Sequence, residues 1–277
     1  MKIKIVTDSA SNMLALDGVD FQSVPLRMIT DEKEYVDNAD LDVEGMVNDL
    51  SVYKGRSGTA CPGVGDWMSA FEGYDVVFCV TITSVLSGSY NSAMTAKQQF
   101  EEENPGTKIY VVDSYTAGPE MKFHIEKLKE MVLAGKDCDT ICKEIEEYKE
   151  KHTALIFCLE SMRNLANNGR VSPAAAKFAS LIGIRVVGDA TGGQLNPTDK
   201  PRGAKKATAE IVRNMKRLGY KGDSVYIDHV FNEKAAGELK EALLAEFPNA
   251  NVVIDQTRGL CSYYAEKGGL LIGFETK

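Results

Sequence analysis

Short apolar runs recur along the chain, separated by longer segments in which apolar residues return every three or four positions. Most of the short runs are rich in Val and Ile, as strands buried on both faces are. The pattern therefore predicts strands at Ile3–Val6, Val76–Ile82, Ile109–Val112, Leu155–Leu159, Arg185–Val187, Val225–Ile227, Val252–Ile254 and Leu270–Phe274.

The segments between these runs have helical periodicity. Apolar residues about one helical turn apart form three stripes, and each stripe is expected to pack on a sheet. Gly135 ends the first pattern, as glycine often ends a helix. The stripes consist of Met121, Ile125, Leu128 and Val132; Cys138, Ile141, Ile145 and Tyr148; and Ala235, Leu239, Ala242 and Leu243.

The order of these elements predicts an α/β fold with two domains. Strands and helices alternate up to about residue 150, which indicates βαβ units and a mostly parallel sheet flanked by helices. Beyond it the gaps between strands are unequal, which predicts a mixed or antiparallel sheet with helices. The charged segment Glu146–His152 is the expected junction. The predicted domains are thus residues 1–150 and 151–277.

Composition narrows the classes of function. The chain has 277 residues, 44% of them hydrophobic, and a net charge of −8. An acidic protein repels a phosphate backbone, so no nucleic-acid partner is expected. Met1–Ser9 indicates a strand rather than a signal peptide, and no apolar run approaches the roughly 20 residues that span a bilayer. These features predict a cytoplasmic protein.

The six cysteines are then expected to be reduced. Cys79 and Cys158 lie in apolar runs and should behave as small core residues. Cys138 and Cys142 are four positions apart on one predicted helix, but no second pair of Cys or His residues has metal-ligand spacing. Neither a metal nor a cofactor is expected.

Three loops rich in hydroxyl groups follow predicted strands or precede predicted helices. Thr7–Ser11 comes directly after the first strand, where ligands often bind, or else it caps the next helix. Ser57–Gly63 leads into a helix N-terminus that favours an anion, or is an ordinary turn. Thr81–Ser92 is typical of a cradle for a carboxylate or phosphate, the alternative being a capped polar loop.

Two segments carry candidate cationic groups. Asn167–Pro173 begins with the turn sequence Asn-Asn-Gly, which should leave Arg170 exposed and available to a phosphate or carboxylate. Lys200–Lys206 contains Arg202 and forms a basic cluster in an acidic protein. It is suited to an acidic partner or a phosphate-bearing ligand, although a solvated loop is the default interpretation.

Enzymatic motifs are missing from the sequence. It lacks the dinucleotide fingerprint, the phosphate-binding P-loop and the Gly-x-Ser-x-Gly elbow. Of three histidines, only His229 is expected in a loop near a site. A hydrolase or an acyl or phosphoryl transferase using Ser87 with His229 remains an alternative, as does a regulator that senses a small acid, but no catalytic residue can be assigned.

Taken together, the motifs resemble the DegV family over essentially the whole chain. Thr7–Ser11 resembles the opening motif of that family, and Thr59–Pro62 is similar to its Thr-Ser-Gln-Pro loop. Leu86–Ala93 closely matches its Leu-Ser-Gly-Thr-Tyr-Gln-Ser-Ala signature, the most specific of the set. The segments Val112–Ser114, Leu159–Val171 and the region after His229 follow in the same order.

The resemblance implies two α/β domains with a lipid tunnel, the C-terminal one being the lipid-binding domain. It further implies a non-catalytic protein that binds a long-chain fatty acid and presents the carboxylate to a fatty acid kinase, with transient membrane contact left open. Carried over, Thr59, Ser87 and Gly88 would bind the ligand. Arg170 and Arg202 would face the kinase.

One departure from the family concerns the C-terminal turn. The family usually has Thr-His-Thr-Gly-Pro-Gly there, and its His belongs to the carboxylate network. Here the stretch is Gln256–Cys261, and Thr257 stands where the His would be. A Thr donates one hydrogen bond and carries no charge. Thr257 and Arg258, which would supply that charge, are therefore added to the predicted ligand-binding residues.

Overall fold

The computed structural model describes residues 1–172, 175 and 183–276. Its strands are, in chain order, β1 (Ile3–Asp8), β2 (Asp20–Val24), β3 (Arg27–Thr30), β4 (Glu34–Val36), β5 (Ser57–Ala60), β6 (Val76–Thr81), β7 (Lys108–Asp113), β8 (Thr153–Leu159), β9 (Val186–Asp189), β10 (Asn196–Asp199), β11 (Ser224–His229), β12 (Asn251–Gln256) and β13 (Leu270–Glu275).

The helices are α1 (Val43–Val52), α2 (Val64–Phe71), α3 (Ser89–Glu103), α4 (Pro119–Leu133), α5 (Cys138–Lys151), α6 (Arg163–Asn167), α7 (Ala204–Arg217), α8 (Glu233–Glu246) and α9 (Gly259–Ala265), with short 3-10 turns at Ser9–Ser11 and Thr191–Gly193. Pro173, the last residue of the turn predicted around Arg170, lies outside the described residues.

The first sheet is parallel, with strand order β2-β1-β6-β7. Side chains alternate along each strand, so Val77 and Cys79 of β6 pack with Trp67 of α2 on one face. Phe78 and Val80 pack with the apolar stripe of α4 on the other. Because both faces are buried, the strand sequence is almost continuously apolar. The predicted parallel sheet flanked by helices is confirmed.

The second sheet is mixed, with order β10-β9-β8-β13-β11-β12. Only β11 and β12 pair in parallel among the strand pairs described for this sheet. Ile211 of α7 and Leu239 of α8 pack on one face with Ile156 and Ile227. The opposite face contributes side chains of β8 to the larger core, which also contains the first sheet. The predicted mixed sheet with helices is also confirmed.

A third, antiparallel sheet of order β4-β3-β5 was not predicted from the sequence. The expectation that Ser57–Gly63 is entirely a loop is wrong, because Ser57–Ala60 forms β5 and pairs with β3. Small residues give little strand signal of their own, and here the backbone of β3 supplies the partner. The pairing sets Thr59 opposite Met28 and so fixes where the Thr59 side chain lies.

Each of the eight predicted strands overlaps an observed strand, and the three predicted stripes lie on α4, α5 and α8. The predicted boundary at residue 150 falls at the end of α5, and the division into two domains stays a prediction. Within the described part of the chain, no helix combines the length and the apolar character needed to cross a membrane.

Candidate functional site

A cavity of about 310 Å³ lies between β5, the loop before α3, β8 and α9. Leu155, Phe157 and Leu159 alternate along β8 and therefore line the same wall. The size and the mainly apolar lining are typical of a small-molecule site. The described lining residues are Leu26, Thr59, Ala60, Cys61, Ile82, Leu86, Ser87, Gly88, Ala117, Leu155, Phe157, Leu159, Leu165, Arg170, Leu195, Leu260, Cys261, Tyr264, Ala265 and Leu271.

Four residues predicted as site residues border this one cavity: Thr59, Ser87, Gly88 and Arg170. They come from three separate parts of the chain, namely β5, the loop before α3 and the segment after α6. Among the described lining residues, Arg170 is the one with a full charge, and Asp, Glu and His are missing. The lining thus combines an apolar body with hydroxyl groups and one cation, which suits an amphipathic anion.

Asp8 organises the loop that carries Ser87. Its carboxylate accepts hydrogen bonds from the backbone N–H of Ile82 at 2.9 Å, from the Ser89 hydroxyl at 2.6 Å and from the N–H of Ala10 at 3.2 Å. Burial raises the pKa of Asp8 to about 6. Of the two interpretations of Thr7–Ser11, the capping one is correct, since Asp8 caps the Ser9–Ser11 turn and is not among the lining residues.

Ser87 keeps its hydroxyl proton available. Its Oγ accepts from the backbone N–H of Ser89 at 3.2 Å. Gly88 is the N-cap residue of α3, and a Cβ on it would lie 3.3 Å from Cys61 Sγ, so a side chain there would crowd the cavity wall. The Ser92 hydroxyl donates to the Pro62 carbonyl at 2.7 Å and joins the two hydroxyl-rich loops.

Arg170 is half-buried, whereas the turn sequence predicted an exposed residue. Its Nη1 donates to the carbonyl of Asn168, which folds the side chain back over the turn. Asn168 is itself anchored, because its Nδ2 donates to Tyr263 Oη at 3.0 Å. The turn therefore directs Arg170 to the cavity instead of leaving it free in solvent.

Comparison with known proteins identifies the family. Residues 2–277 match the family model described as uncharacterised protein, DegV family. The chain belongs to the DegV family. A DegV domain-containing protein of Streptococcus pneumoniae is 39% identical over 280 residues, which cover 99% of each chain.

Two solved DegV structures are similar over their whole length. A DegV family protein from Eubacterium eligens, loaded with heptadecanoic acid, is 40% identical with a TM-score of 0.96, covering 99% of this chain and 100% of its own. The Streptococcus pneumoniae Fatty Acid Kinase (Fak) B3 protein, loaded with linoleic acid, is 38% identical with a TM-score of 0.96 and covers 100% of both chains. The resemblance inferred from the motifs is confirmed.

Thr257 and Arg258 of this DegV chain are not among the described lining residues. Thr257 is buried, and its Oγ1 contacts Ser262 Oγ at 2.7 Å and the His229 carbonyl at 3.2 Å. The Arg258 guanidinium contacts the Asn38 carbonyl and lies 3.9 Å from the Asp37 carboxylate. Thr257 Oγ1 and Arg258 Nη2 therefore bond within the protein, and the C-terminal turn meets the cavity through Leu260 and Cys261 instead.

Asp37 explains why the backbone N–H groups of that turn are not free to bind a ligand. Its carboxylate accepts the backbone N–H groups of Gly259 and Leu260 at 2.8 Å each and so caps α9. Burial raises the pKa of Asp37. An aspartate from the chain's own N-terminal part thus occupies the helix end where a ligand anion would bind.

The remaining predicted residues lie elsewhere. Arg202 is exposed, as are Lys205 and Lys206 of the same basic cluster. His229 is buried at the end of β11, and its Nδ1 accepts from the Asn232 backbone N–H at 3.3 Å. It does not border the cavity, so the Ser87–His229 pair of the hydrolase alternative is not assembled.

Sequence reasoning missed Tyr264. This residue lies on α9, borders the cavity, and has its Oη 2.8 Å from Thr59 Oγ1. Burial raises its pKa, while Thr59 and the charge of Arg170 act in the opposite direction. The one available signal was a tyrosine doublet, Tyr263-Tyr264, on a short apolar helix, and such a pair ordinarily indicates core packing.

Proposed function

We propose that this DegV protein binds a long-chain fatty acid, with the acyl chain in the apolar cavity and the carboxylate beside Thr59, Ser87 and Arg170. The observation that carries the proposal is that these three residues border one cavity with a mainly apolar lining. Each buried CH₂ contributes roughly 0.8 kcal/mol, so the tail supplies most of the affinity. The hydroxyl groups and Arg170 then select an anionic headgroup.

Relatives support this ligand class. The Eubacterium eligens protein carries heptadecanoic acid, and the Streptococcus pneumoniae protein carries linoleic acid. Both are long-chain carboxylic acids of different shape. A cavity lined by Leu and Ala side chains contacts any such chain through dispersion, without a polar group that dictates unsaturation.

The proposal extends to presentation of the carboxylate to a partner kinase, with no phosphoryl transfer by this chain alone. The Streptococcus pneumoniae relative bears the name of a fatty acid kinase component. Among the described lining residues there is no His, Asp or Glu to act as a general base, which favours a carrier over a hydrolase. The exposed Arg202, Lys205 and Lys206 offer an acidic partner a positive surface on an otherwise acidic protein.

Mass spectrometry of lipid extracted from the purified protein, followed by titration of delipidated protein, tests the binding proposal. We expect a co-purified long-chain acid, and tighter binding of the acid than of the alcohol of equal length. A protein that carries no acid and does not bind added acid would contradict it.

The carrier role is tested by adding ATP and a fatty acid kinase to the loaded protein. Acyl phosphate should form only when both proteins are present. Arg202→Ala should slow its formation while leaving fatty-acid affinity unchanged. Ester hydrolysis or acyl phosphate formation by the chain alone would favour the enzyme alternative.

A further inference from the structure

The hydrogen bond between Thr59 and Tyr264 limits what the polar end of the cavity can donate. The two hydroxyl oxygens are 2.8 Å apart, and both residues line the cavity. Thr59 lies on β5 and Tyr264 on α9, so the bond joins parts of the chain that are 205 residues apart. Both residues are half-buried.

The direction of this bond depends on what occupies the cavity. Each hydroxyl has one proton to donate, whereas an ionised carboxylate only accepts. If Thr59 donates to Tyr264, its proton is used and it cannot hold a carboxylate. If Tyr264 donates instead, the Thr59 proton is free to point at the ligand. A carboxylate that accepts a hydrogen bond from Thr59 itself therefore requires Tyr264 as the donor within the pair.

We propose that Tyr264 is the positioning residue for the carboxylate, donating to Thr59 so that Thr59 can donate to the ligand. The inference rests on the proposed function and deepens it, because it makes the polar end selective for an acceptor-only headgroup. An alcohol headgroup can itself donate to Thr59 Oγ1, so it does not require this orientation. Tyr264 thus discriminates between ligands by headgroup rather than by chain.

Tyr263 provides a matched control on the same helix. Its hydroxyl lies 2.9 Å from Ser57 Oγ and accepts from Asn168 Nδ2 at 3.0 Å. Asn168 Nδ2 also donates to the Asn164 carbonyl at 2.9 Å, so the turn that carries Arg170 stays anchored when the Tyr263 hydroxyl is removed. It therefore links the same strand, β5, to α9, but it is not among the described residues that line the cavity. Removing the Tyr263 hydroxyl therefore tests how the link between β5 and α9 affects ligand binding when the lining of the cavity is unchanged.

The experiment is a titration of delipidated wild type, Tyr264→Phe and Tyr263→Phe with heptadecanoic acid and with the alcohol of the same length. We expect Tyr264→Phe to weaken binding of the acid about 2- to 5-fold, because the Thr59 hydroxyl keeps its proton but loses the donor that orients and polarises it. Binding of the alcohol should change by less than about twofold. Tyr263→Phe should lower the melting temperature and leave the preference for acid over alcohol intact.

A double-mutant cycle with Thr59→Val makes the test specific to the pair. Tyr264→Phe should have almost no further effect on acid binding when Thr59 has already lost its hydroxyl. An equal loss of acid and alcohol binding in Tyr264→Phe, or a full additive effect on Thr59→Val, would overturn the proposal. A Tyr263→Phe variant that loses the preference for acid over alcohol to the same extent as Tyr264→Phe would also overturn the proposal.

These outcomes are separate from failure of the proposed function. A wild-type protein that does not bind heptadecanoic acid at all contradicts the proposed function itself. A wild type that binds the acid, with a Tyr264→Phe variant indistinguishable from it, contradicts only the role of Tyr264.

Discussion

Two sets of polar side chains in this protein invite comparison. The cavity-facing set consists of Thr59, Ser87, Arg170 and Tyr264, which border the lipid-sized cavity. The backbone-facing set consists of Asp8, Asp37 and Thr257, whose oxygens bind the N–H, hydroxyl or carbonyl groups of neighbouring turns. A polar residue in a loop is available to a ligand only where the surrounding backbone does not already need it.

We therefore expect substitutions in the backbone-facing set to alter the stability of the protein. Substitutions in the cavity-facing set should alter its affinity for the fatty acid. The sequence places both sets in similar contexts, at turns and beside helix ends. What separates them is the number of partners that the chain itself provides, and this is a property of the assembled fold.

The largest effect is expected for the pH dependence contributed by Asp8. Burial raises its pKa from 3.8 to about 6, so the folded state holds this proton more tightly than the unfolded chain does. The stability from Asp8 is thus fully present below pH 3.8 and is lost as the pH rises through 6. Between pH 4 and 7 the wild type should therefore lose roughly 2–3 kcal/mol of unfolding free energy that Asp8→Asn does not lose.

Denaturant unfolding of wild type and Asp8→Asn across that pH range measures this difference. The variant also loses part of a hydrogen-bond network, which shifts its stability by an amount that does not vary with pH. A free-energy difference that stays flat from pH 4 to 7 would show that Asp8 ionises as an exposed carboxyl does.

Arg170→Ala should give the largest effect on affinity. A fatty acid carboxylate in a mainly apolar cavity would lose its nearest full positive charge, which costs about 2 kcal/mol or roughly 30-fold in Kd. This differs from the sequence-based expectation that Arg170 acts only when the ligand is handed to the kinase. Arg202→Ala is the control, because Arg202 is exposed and does not line the cavity. If the two variants bind the fatty acid with equal affinity, Arg170 does not contact the carboxylate.

Ser87→Ala should weaken fatty-acid binding by about 1.5 kcal/mol, or roughly 10-fold, since one hydrogen bond to a charged group is lost and the acyl chain stays buried. Ser84→Ala is a matched control in the same loop, because Ser84 is not among the described lining residues. Calorimetric titration would compare the two. Complete loss of binding in folded Ser87→Ala would mean that the headgroup, not the tail, dominates affinity.

The smallest effect is expected for Thr257→Val, which exchanges a buried hydroxyl for a methyl group. Ser262 and the His229 carbonyl lose a partner, so unfolding free energy should fall by about 1 kcal/mol while fatty-acid affinity stays the same. Thr257→Ser should restore stability, because it retains the hydroxyl. A loss of fatty-acid affinity in Thr257→Val, or in Arg258→Ala, would show that these residues contact the ligand after all.

Much of the architecture could be predicted because the strands carry their own signal. Val- and Ile-rich runs such as β1 and β6 are buried where they pair, so composition reveals them. β5 could not be predicted, since Ser57–Ala60 becomes a strand only through pairing with β3. Long-range pairing of small residues leaves no periodic pattern in the sequence.

The residues of the candidate site also include some that could be predicted from the sequence and some that could not. Thr59 and Ser87 could be predicted only through the resemblance of their loops to the family motifs, because hydroxyl groups at a helix start are often ordinary caps. Tyr264 could not, because Tyr263 and Tyr264 are chemically identical neighbours. About 100° of helical rotation sends one hydroxyl to Asn168 and the other to the cavity, and only the packed helix determines which is which.

The capping of α9 by Asp37 has a consequence for how the protein is made. The two partners are 222 residues apart, so a growing chain presents Asp37 long before Gly259 exists. At ordinary synthesis rates of roughly 5–20 residues per second, that interval lasts roughly 10 to 45 seconds. Throughout it the cavity lacks the wall that α9 and Leu271 contribute, so a complete lining exists only after nearly the whole chain has been made.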